Sequence, residues 1–470
     1  MLWKAVPRNG YRYPGWIGAV RRAGQAATWR AGWAAAWRGR CLLQVAAVVA
    51  GLAVLAGYLL PRLGNPGAHW PLWDVRVYWC GGQRAAHGAA LYAPGACYAS
   101  FTYPPFAAVL FSLGAGAPEG WLAATITAGS IAALVVLCWL SLGAARVRRR
   151  PEIVFTVAAL AVWMVPVGYT LHLGEVNLIL ASMVAADLLR RSDGGWWQGI
   201  ATGLAAGIKL TPLIFIAYLL ITRRVRAAAT ATAAFAATVA AGFVLLPAQS
   251  GVFWLGGVFL NQKRIGNTAN PANQALSGAV ARLAGSLGAA WPWWLAAALL
   301  TGLAGLAVAA WAHRRGHRLA GVCCCALTGL LVSPFSWTHH WVWVVPLLAG
   351  LAGTAWRRRS PWYGLAAAAA AVVFSGLIPL RPPGHLPSLI RLAEGDLYIL
   401  CGMAILAGTA LIFTRERIAA GGWLAARGDA REPAAHWHRR IIPGIVLRYG
   451  SLYGGDDHPL SGLPPRRAGR

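Results

Sequence analysis

Residues Gly207–Arg226 read GIKLTPLIFIAYLLITRRVR, an apolar segment that is interrupted at KLTP and ends in a cluster of arginines. Apolar runs that end in Lys or Arg recur along most of the 470 residues. Only 12% of the residues are charged, whereas a soluble domain carries about a quarter of its residues as Asp, Glu, Lys and Arg. So few charges cannot cover a water-facing surface, and the sequence therefore predicts an all-α polytopic membrane protein.

The formal net charge of +29 raises the question of nucleic-acid binding. The basic residues, however, lie in both terminal segments and in short loops between apolar runs. This distribution is typical of the positive-inside rule, by which Lys and Arg remain on the cytoplasmic side of a membrane. Basic segments beside a membrane also favour anionic lipid headgroups. We therefore expect membrane lipids, and not nucleic acid, as partners of these segments.

The basic clusters indicate how the chain crosses the membrane, since all of them are expected in the cytoplasm. An even number of crossings must then separate successive clusters. Between the clusters lie pairs of apolar runs at 153–171 and 176–190, 228–247 and 294–312, 319–335 and 341–356, and 361–380 and 397–413. The runs Leu42–Leu60 and 121–142 form a further pair. The segment Phe101–Pro118 between them is expected to be re-entrant or interfacial.

Two half-length apolar pieces, Trp196–Ile208 and Leu213–Ile221, flank KLTP and are short for a crossing. A proline-broken pair indicates irregular backbone, which is tolerated at membrane depth only where it lines protein or a polar cavity. Lys209 is therefore expected in or just above the membrane. With these pieces included, the sequence predicts about 10–12 transmembrane helices and re-entrant or interfacial elements in the outward loops.

The domain boundaries follow from the same pattern. A membrane domain is predicted over 42–414, between a basic cytoplasmic arm at 1–41 and a basic cytoplasmic tail at 415–470 that is expected to be flexible. Most polar aromatic residues fall in the outward segments, so the chemistry is expected on the outer face of the membrane.

The acidic residues that fall in outward segments are Asp74, Glu119, Glu175, Glu394 and Asp396. Asp74 lies in WPLWDVRVYW (Trp70–Trp79), among aromatic residues. A carboxylate beside stacking surfaces suits a general base that acts on a sugar. A surface carboxylate paired with Arg76 would give the same sequence pattern, and the pattern alone does not decide between the two.

Two further pairs of residues stand out in the outward segments. His339 and His340 end an apolar run, and consecutive residues of a helix point about 100° apart, so one of the two is expected to face a cavity. No other metal ligand at a suitable spacing accompanies them. Cys80 and Cys97 fall in the first outward loop, where a disulfide could form in an oxidising compartment.

Several segments in this order resemble glycosyltransferase family 87, a branch of the GT-C membrane glycosyltransferases. The segments are DVRVYW…LY (Asp74–Trp79, Leu91–Tyr92), FTYPPFAAVLF (Phe101–Phe111), GEVNLILASMVAADLL (Gly174–Leu189), GIKLTPLIFIAYLLITRR (Gly207–Arg224), NPANQALSG (Asn270–Gly278) and SPFSWTHHWVWVVP (Ser333–Pro346). Two residues depart from the family's common pattern, Glu175 where Gln is frequent and Ala275 where Ser is frequent. These two departures concern the identity of the acceptor and not the membership of the family.

The resemblance implies an inverting enzyme that moves mannose from polyprenyl-phosphate-mannose to a mannose of a lipid-anchored glycan, in an α-1,2 linkage. The implied acceptor is a glycolipid or lipoglycan, namely a phosphatidylinositol mannoside, lipomannan or lipoarabinomannan. It further implies a GT-C fold in the plasma membrane, with the active site on the outer face. Arabinofuranosyl transfer from decaprenyl-phosphate-arabinose occurs in the same family and stays open. A lipid-linked sugar flippase or transporter and a structural scaffold are the alternatives of other classes.

The resemblance also implies residue roles. Asp74 matches the family's first-loop aspartate and is expected to be the general base, while cations stabilise the leaving phosphate. The residues expected at the donor phosphate or sugar are Lys209, His339, His340, Arg76, Arg264 and Tyr78. The residues expected at the acceptor or sugar are Asn273, Gln274, Glu175 and Asn177.

No cofactor and no divalent metal is expected, because the outward carboxylates are scattered over separate segments and a hard-metal site needs one or two together. Plainer roles remain open for some of the same residues. Lys209 could snorkel to an interface, and Asn273 with Gln274 could cap the helix that starts at Leu276. Asp74 and Glu175 could also converge on one ion.

Overall fold

The computed structural model describes residues 72–190, 195–380 and 388–428, together with the single residue Val49. The predicted arm 1–41, nearly all of the predicted span Leu42–Leu60 and most of the tail 415–470 lie outside the described residues. Within the described ranges the chain forms helices and turns, with one isolated bridge between Asn273 and Trp337. The all-α prediction is confirmed. One compact unit ends at Phe413, and a second begins at Thr414.

The α-helices, numbered in chain order, are α1 (Trp73–Ala86), α2 (Pro105–Ser112), α3 (Glu119–Ala144), α4 (Pro151–Ala161), α5 (Val165–Leu173), α6 (Asn177–Leu188), α7 (Ile200–Ile208), α8 (Ile214–Ile221), α9 (Val225–Leu245), α10 (Pro247–Ser250), α11 (Leu276–Ala284), α12 (Trp291–Arg314), α13 (Arg318–Val332), α14 (Val344–Arg358), α15 (Pro361–Phe374), α16 (Ser388–Gly395) and α17 (Leu397–Gly428). Short 3-10 helices cover Thr211–Leu213, Val258–Leu260, Gln262–Arg264 and Thr338–Trp343, and a π-helix covers Gly251–Leu255.

Four helices of the described ranges are long and apolar enough to cross a membrane, namely α3, α9, α12 and the part Leu397–Glu416 of α17. A fifth candidate is the pair α4 and α5, which meet at a bend of 77°. A multi-pass membrane protein is therefore confirmed. Other predicted spans correspond to the shorter apolar helices α6, Thr211–Ile221, α13 and α15. The predicted count of about 10–12 spans stays a prediction.

The segment after α1, which was predicted to be an outward loop with a re-entrant or interfacial part, contains no long helix between Ala86 and Pro118, a stretch that the structure describes in full. Its apolar segment forms α2, which has eight residues and is too short to cross a bilayer. This helix packs against α1, where Phe111 stacks on Tyr78 with ring centroids 4.4 Å apart. Cys80 of α1 and Cys97 form a disulfide, with Cα atoms 5.9 Å apart. The loop is thereby tied to the helix that carries Asp74.

The KLTP interruption breaks the helix as predicted. α7 ends at Ile208, and Lys209 takes an extended conformation before the 3-10 turn and α8 resume the helical path. A Cβ atom at Gly203 or Gly207 would collide with α9. The missing side chains let α7 lie directly against α9, and this contact fixes the helix end from which Lys209 projects.

Candidate functional site

A polar cluster surrounds the side chain of Lys209. Its Nζ atom lies 2.5 Å from Glu175 Oε1, 3.0 Å from Asn177 Oδ1 and 3.2 Å from Nε2 of His340. Glu175 is almost fully buried, with 1% of its surface exposed. An ammonium group has three protons to donate, and each of the three contacts uses one of them. The burial of the carboxylate is therefore balanced by an ion pair and by hydrogen bonds.

Glu175 reaches this position through a glycine turn. α5 ends at Gly174 with φ of 70°, a left-handed conformation that favours glycine. The amide N–H of Glu175 then donates to the carbonyl of Thr170 at 2.9 Å. A Cβ atom on Gly174 would collide with Val75 of α1. The glycine thus lets the helix that carries Asp74 approach Glu175 closely.

The histidine turn, residues Thr338–Trp343, brings both histidines to the same carboxylate. Glu175 Oε2 lies 3.3 Å from Nε2 of His339 and 3.9 Å from Nε2 of His340. Both histidines therefore approach this carboxylate, whereas the apolar cleft beside the cluster is lined by His340 and not by His339, in agreement with the expectation that one of the two faces a cavity. The turn is a 3-10 helix, and the two rings meet edge to face with centroids 4.7 Å apart.

His339 is held through its backbone. Its carbonyl oxygen accepts hydrogen bonds from Thr170 Oγ1 at 2.8 Å and from Asn177 Nδ2 at 3.0 Å. Burial lowers the pKa of His339 to about 4, although the Glu175 carboxylate acts in the opposite direction. Its Nδ1 atom is buried and has no hydrogen-bond partner in the described ranges. A neutral imidazole nitrogen is therefore left for a ligand.

Two tyrosines connect this cluster to α1. The hydroxyl groups of Tyr78 and Tyr103 lie 3.0 Å apart, and Tyr103 donates to Glu175 Oε1 at 3.2 Å. Burial is the largest cause that raises the pKa of both phenols, so both stay neutral donors. Tyr78 was a predicted site residue, whereas the role of Tyr103 was missed. Its position in the quoted motif FTYPPF was the available signal.

The charges of Glu175 and Lys209 act on Asp74. It lies in the first turn of α1 and is partly buried. Burial, and secondly the negative charge of Glu175, raise the pKa of Asp74 to about 7, while Lys209 opposes the shift. A carboxyl group with a pKa near neutrality is poised to accept a proton. The structure therefore brings Asp74, Tyr78, Glu175, Asn177, Lys209, His339 and His340 into one region.

Arg76 does not join this region. It forms an exposed ion pair with Glu119 at 3.3 Å, and residues two positions apart on a helix do not share a face. The alternative in which Arg76 neutralises Asp74 is therefore wrong. The predicted contact between Arg76 and the donor also finds no support in this arrangement.

Arg264 lies in the 3-10 helix Gln262–Arg264. Its charge counteracts the burial that raises the pKa of Tyr92, and the Tyr92 hydroxyl donates to the Tyr103 carbonyl at 2.8 Å. Its Nε and Nη2 atoms are buried and have no hydrogen-bond partner within the described part of the chain. Arg264 is thus a partly buried cation whose charge acts on Tyr92, the tyrosine that bonds to Tyr103.

Asn273 and Gln274 are fully buried, and their amide groups bond to protein groups. A sugar contact would first require these bonds to break. The capping alternative is not observed either, because the cap residue of α11 is Ala275 and no side chain caps the helix.

Glu175, His339 and His340 also form a set of possible metal ligands, whose donor atoms lie within 4.8 Å of one another. Sequence spacing could not reveal this set, because the fold joins residues from distant segments. A carboxylate with two imidazoles suits a transition metal better than Mg²⁺. The Lys209 ammonium already contacts Glu175 and His340, so a metal ion would compete with it for the same atoms.

An apolar cleft opens beside the polar cluster, between α6, α8 and α13. Its lining includes Asn177 and His340 of the polar cluster and the apolar residues Ala181, Phe215 and Leu330. The cleft has a volume of about 50 Å³ and offers an apolar surface beside the buried polar groups, with room for a short part of a hydrocarbon chain.

Comparison with known proteins places the chain in a family. The model of glycosyltransferase family 87 matches residues 101–334. A polyprenol-phosphate-mannose-dependent alpha-(1-2)-phosphatidylinositol mannoside mannosyltransferase of Mycobacterium tuberculosis (strain ATCC 25618 / H37Rv) is 34% identical over 370 residues, which cover 71% of this chain and 82% of that protein. The protein of the same description from Mycolicibacterium smegmatis is 32% identical, with coverage of 77% and 91%.

A polyprenol-phosphate-mannose-dependent alpha-(1-2)-phosphatidylinositol pentamannoside mannosyltransferase of Mycobacterium tuberculosis (strain CDC 1551 / Oshkosh) is 33% identical, with coverage of 83% of this chain and 87% of that protein. No solved structure matches the chain significantly. The resemblance carried by the six segments is confirmed. The chain belongs to glycosyltransferase family 87 and is a membrane glycosyltransferase.

Proposed function

We propose that this enzyme transfers mannose from polyprenyl-phosphate-mannose to a mannose hydroxyl of a phosphatidylinositol mannoside, with inversion and formation of an α-1,2 linkage. The relatives' names support the donor and the linkage. Relatives that act on phosphatidylinositol mannoside and on its pentamannoside are similarly related to this chain. The proposal therefore specifies a mannosylated phosphatidylinositol and leaves its number of mannoses open.

The observation that carries the proposal is the placement of Asp74 beside the cluster of Lys209 and Glu175. In the proposed step an acceptor hydroxyl attacks the anomeric carbon of mannose, and its proton passes to the Asp74 carboxylate. The bond between the anomeric carbon and the phosphate oxygen breaks, and polyprenyl phosphate leaves with the electron pair. One base and one charge-stabilising group are sufficient for this chemistry.

We propose that Lys209 receives the leaving phosphate. Since its three protons are already used, a phosphate oxygen would replace one partner, and His340 is the most distant of the three at 3.2 Å. The guanidinium of Arg264 is a further donor for the phosphate or sugar. The partnerless Nδ1 atom of His339 can accept a sugar hydroxyl, because the Nε2 atom of this neutral ring faces the Glu175 carboxylate and carries the proton. A charged ligand gains more from such buried donors than from solvent-exposed ones.

The apolar cleft beside Asn177 and His340 supports a donor that carries a hydrocarbon chain. The clustering of basic residues supports an orientation with the site on the outer face of the plasma membrane and both termini in the cytoplasm. We further propose a metal-free reaction, because Lys209 supplies a positive charge where the possible metal ligands converge.

The test is incubation of the purified enzyme with a phosphatidylinositol mannoside and either labelled polyprenyl-phosphate-mannose or labelled decaprenyl-phosphate-arabinose. Linkage analysis of the product should give a new α-1,2-linked mannose with the first donor and no product with the second. Transfer of arabinose alone would replace the proposed donor. Movement of the donor across a bilayer without a new glycosidic bond would indicate a transporter.

A further inference from the structure

The segment that carries the two histidines is held by a loop that the proposed chemistry does not use. This loop, residues 267–275, is called the amide loop here. Its main chain bridges to Trp337 at Asn273. The N–H of Gln274 donates to the carbonyl of Ser336 at 2.8 Å, and the N–H of Thr338 donates to the carbonyl of Ala272 at 3.0 Å. The amide loop therefore pairs with the residues that directly precede His339.

The Asn273 side chain completes this pairing. Its Oδ1 atom accepts the N–H of Ser336 at 3.0 Å, while its Nδ2 atom donates to the Thr268 carbonyl at 3.0 Å and to Ser277 Oγ at 3.4 Å. Asn273 and Ser277 are fully buried, and Ser336 is 1% exposed. Both Nδ2 protons are used, and removal of the amide would leave the buried N–H of Ser336 without an acceptor, which is costly.

Gln274 braces the histidine turn from another direction. Its Nε2 atom donates to the carbonyls of Pro271 at 2.7 Å and Gly395 at 2.6 Å, and its Oε1 atom accepts the N–H of Tyr398 at 3.0 Å. The Tyr398 ring packs edge to face on Trp341, with centroids 5.6 Å apart. Trp341 is the residue that follows His340. Gln274 therefore holds Tyr398, and the Tyr398 ring packs against the histidine turn at Trp341.

We infer that Asn273 and Gln274 are positioning residues, which hold the histidine turn so that both imidazoles stay at Glu175 and Lys209. This inference rests on the proposed function, in which the donor phosphate is received by Lys209 at the place where the ammonium contacts His340 and where His339 lies beside Glu175. The contacts of His340 with Lys209 and of His339 with Glu175 are 3.2 Å and 3.3 Å long. A displacement of the turn by about 1 Å would weaken both, and misplacement on that scale can cost about a hundredfold in rate.

The test is a mutant cycle that compares Asn273→Ala in the wild-type background and in the His339→Ala/His340→Ala background, read as turnover in the mannosyl-transfer assay. We expect Asn273→Ala to lower kcat by about tenfold or more in the wild-type background. In the background that lacks both imidazoles the same change should cost less than about threefold, because a residue that acts by positioning the two imidazoles has no effect on turnover after both are removed. Equal losses in both backgrounds, as expected for a direct sugar contact or for general misfolding, would overturn the inference.

The matched control is Asn270→Ala in the same loop. The Asn270 side chain accepts the N–H of Ala272 at 2.9 Å, whereas the N–H of Ser336 donates to Asn273. Removal of the Asn270 side chain should therefore cost less than about threefold in both backgrounds. Hydrogen exchange in the peptide Ser336–Trp341 gives a readout that does not depend on activity. Exchange should be faster in Asn273→Ala than in Asn270→Ala. Unchanged exchange would overturn the inference even if the enzyme uses another donor or acceptor.

Discussion

The pH dependence of this enzyme should respond to Glu175 in a direction that the structure specifies. Burial and the Glu175 charge raise the pKa of Asp74 to about 7. The reaction needs Asp74 deprotonated, so the rate should rise with pH through that value. Glu175→Gln removes the negative charge but keeps a side chain that can accept from Lys209. The pKa of Asp74 should therefore fall, and the acidic limb of the pH–rate profile should move to lower pH.

The size of the effect follows from the charge that is removed. A neighbouring like charge typically shifts a carboxyl pKa by about 1–3. A fall from about 7 to about 6 raises the deprotonated fraction of Asp74 at pH 6 from roughly a tenth to roughly a half. Relative to its own plateau near pH 8.5, the variant should then be about five times more active than the wild type at pH 6. The assay is initial-rate mannosyl transfer between pH 5 and pH 9 at saturating donor.

Glu119→Gln is the matched control, since Glu119 pairs with Arg76 at an exposed position outside the cluster. Its profile should match the wild type. If the acidic limb of the Glu175→Gln profile stays in place or moves to higher pH, then that limb does not report a base whose pKa is raised by the charge of Glu175. An equal shift in Glu119→Gln would mean that the effect reflects overall charge.

Three further outcomes are expected. Lys209→Met should lower kcat/KM for the donor by about a hundredfold or more, because a buried charge that stabilises the leaving phosphate is lost; a loss below about threefold would contradict the role of Lys209. Ala181→Phe should fill the apolar cleft and raise KM for a long-chain polyprenyl donor relative to a donor with one or two isoprene units, and equal effects on both donors would argue against the cleft as the site of the chain. Activity should survive washing with EDTA, and a loss that Mg²⁺, Mn²⁺ or Zn²⁺ restores would overturn the metal-free reaction.

Local patterns in the sequence predicted those features that depend on neighbouring residues. The break at KLTP was predictable because Pro212 has no N–H group to donate and its ring clashes with the preceding turn, which disfavours an uninterrupted helix through this point. The lack of charges predicted a membrane protein, and α3, α9 and α12 match apolar runs that were identified as spans. The short helix α2 likewise follows from an apolar segment that the charge pattern leaves without a crossing.

The parts of the site that depend on distant contacts were not predictable in this way. Asn273 and Gln274 carry amides suited to a sugar, but their partners at Ser336 and Gly395 are 63 and 121 residues away in the chain. The approach of both histidines depends on the Glu175 carboxylate from a distant segment, whose Oε2 atom lies 3.3 Å from Nε2 of His339 and 3.9 Å from Nε2 of His340. The ion pair between Glu175 and Lys209 depends on two features of the fold. The glycine turn after α5 places Glu175, and the contact of α7 with α9 places the helix end that carries Lys209.

The most direct test of the account compares wild-type enzyme with Asp74→Asn in one assay with labelled polyprenyl-phosphate-mannose and a phosphatidylinositol mannoside acceptor. The wild type should form an α-1,2-linked mannoside, and the variant should form it about 10²–10⁴ times more slowly, because asparagine keeps the size of the side chain but cannot accept the proton. Failure of the wild type to form this linkage, or retention of more than about a tenth of its rate by Asp74→Asn, would contradict the account.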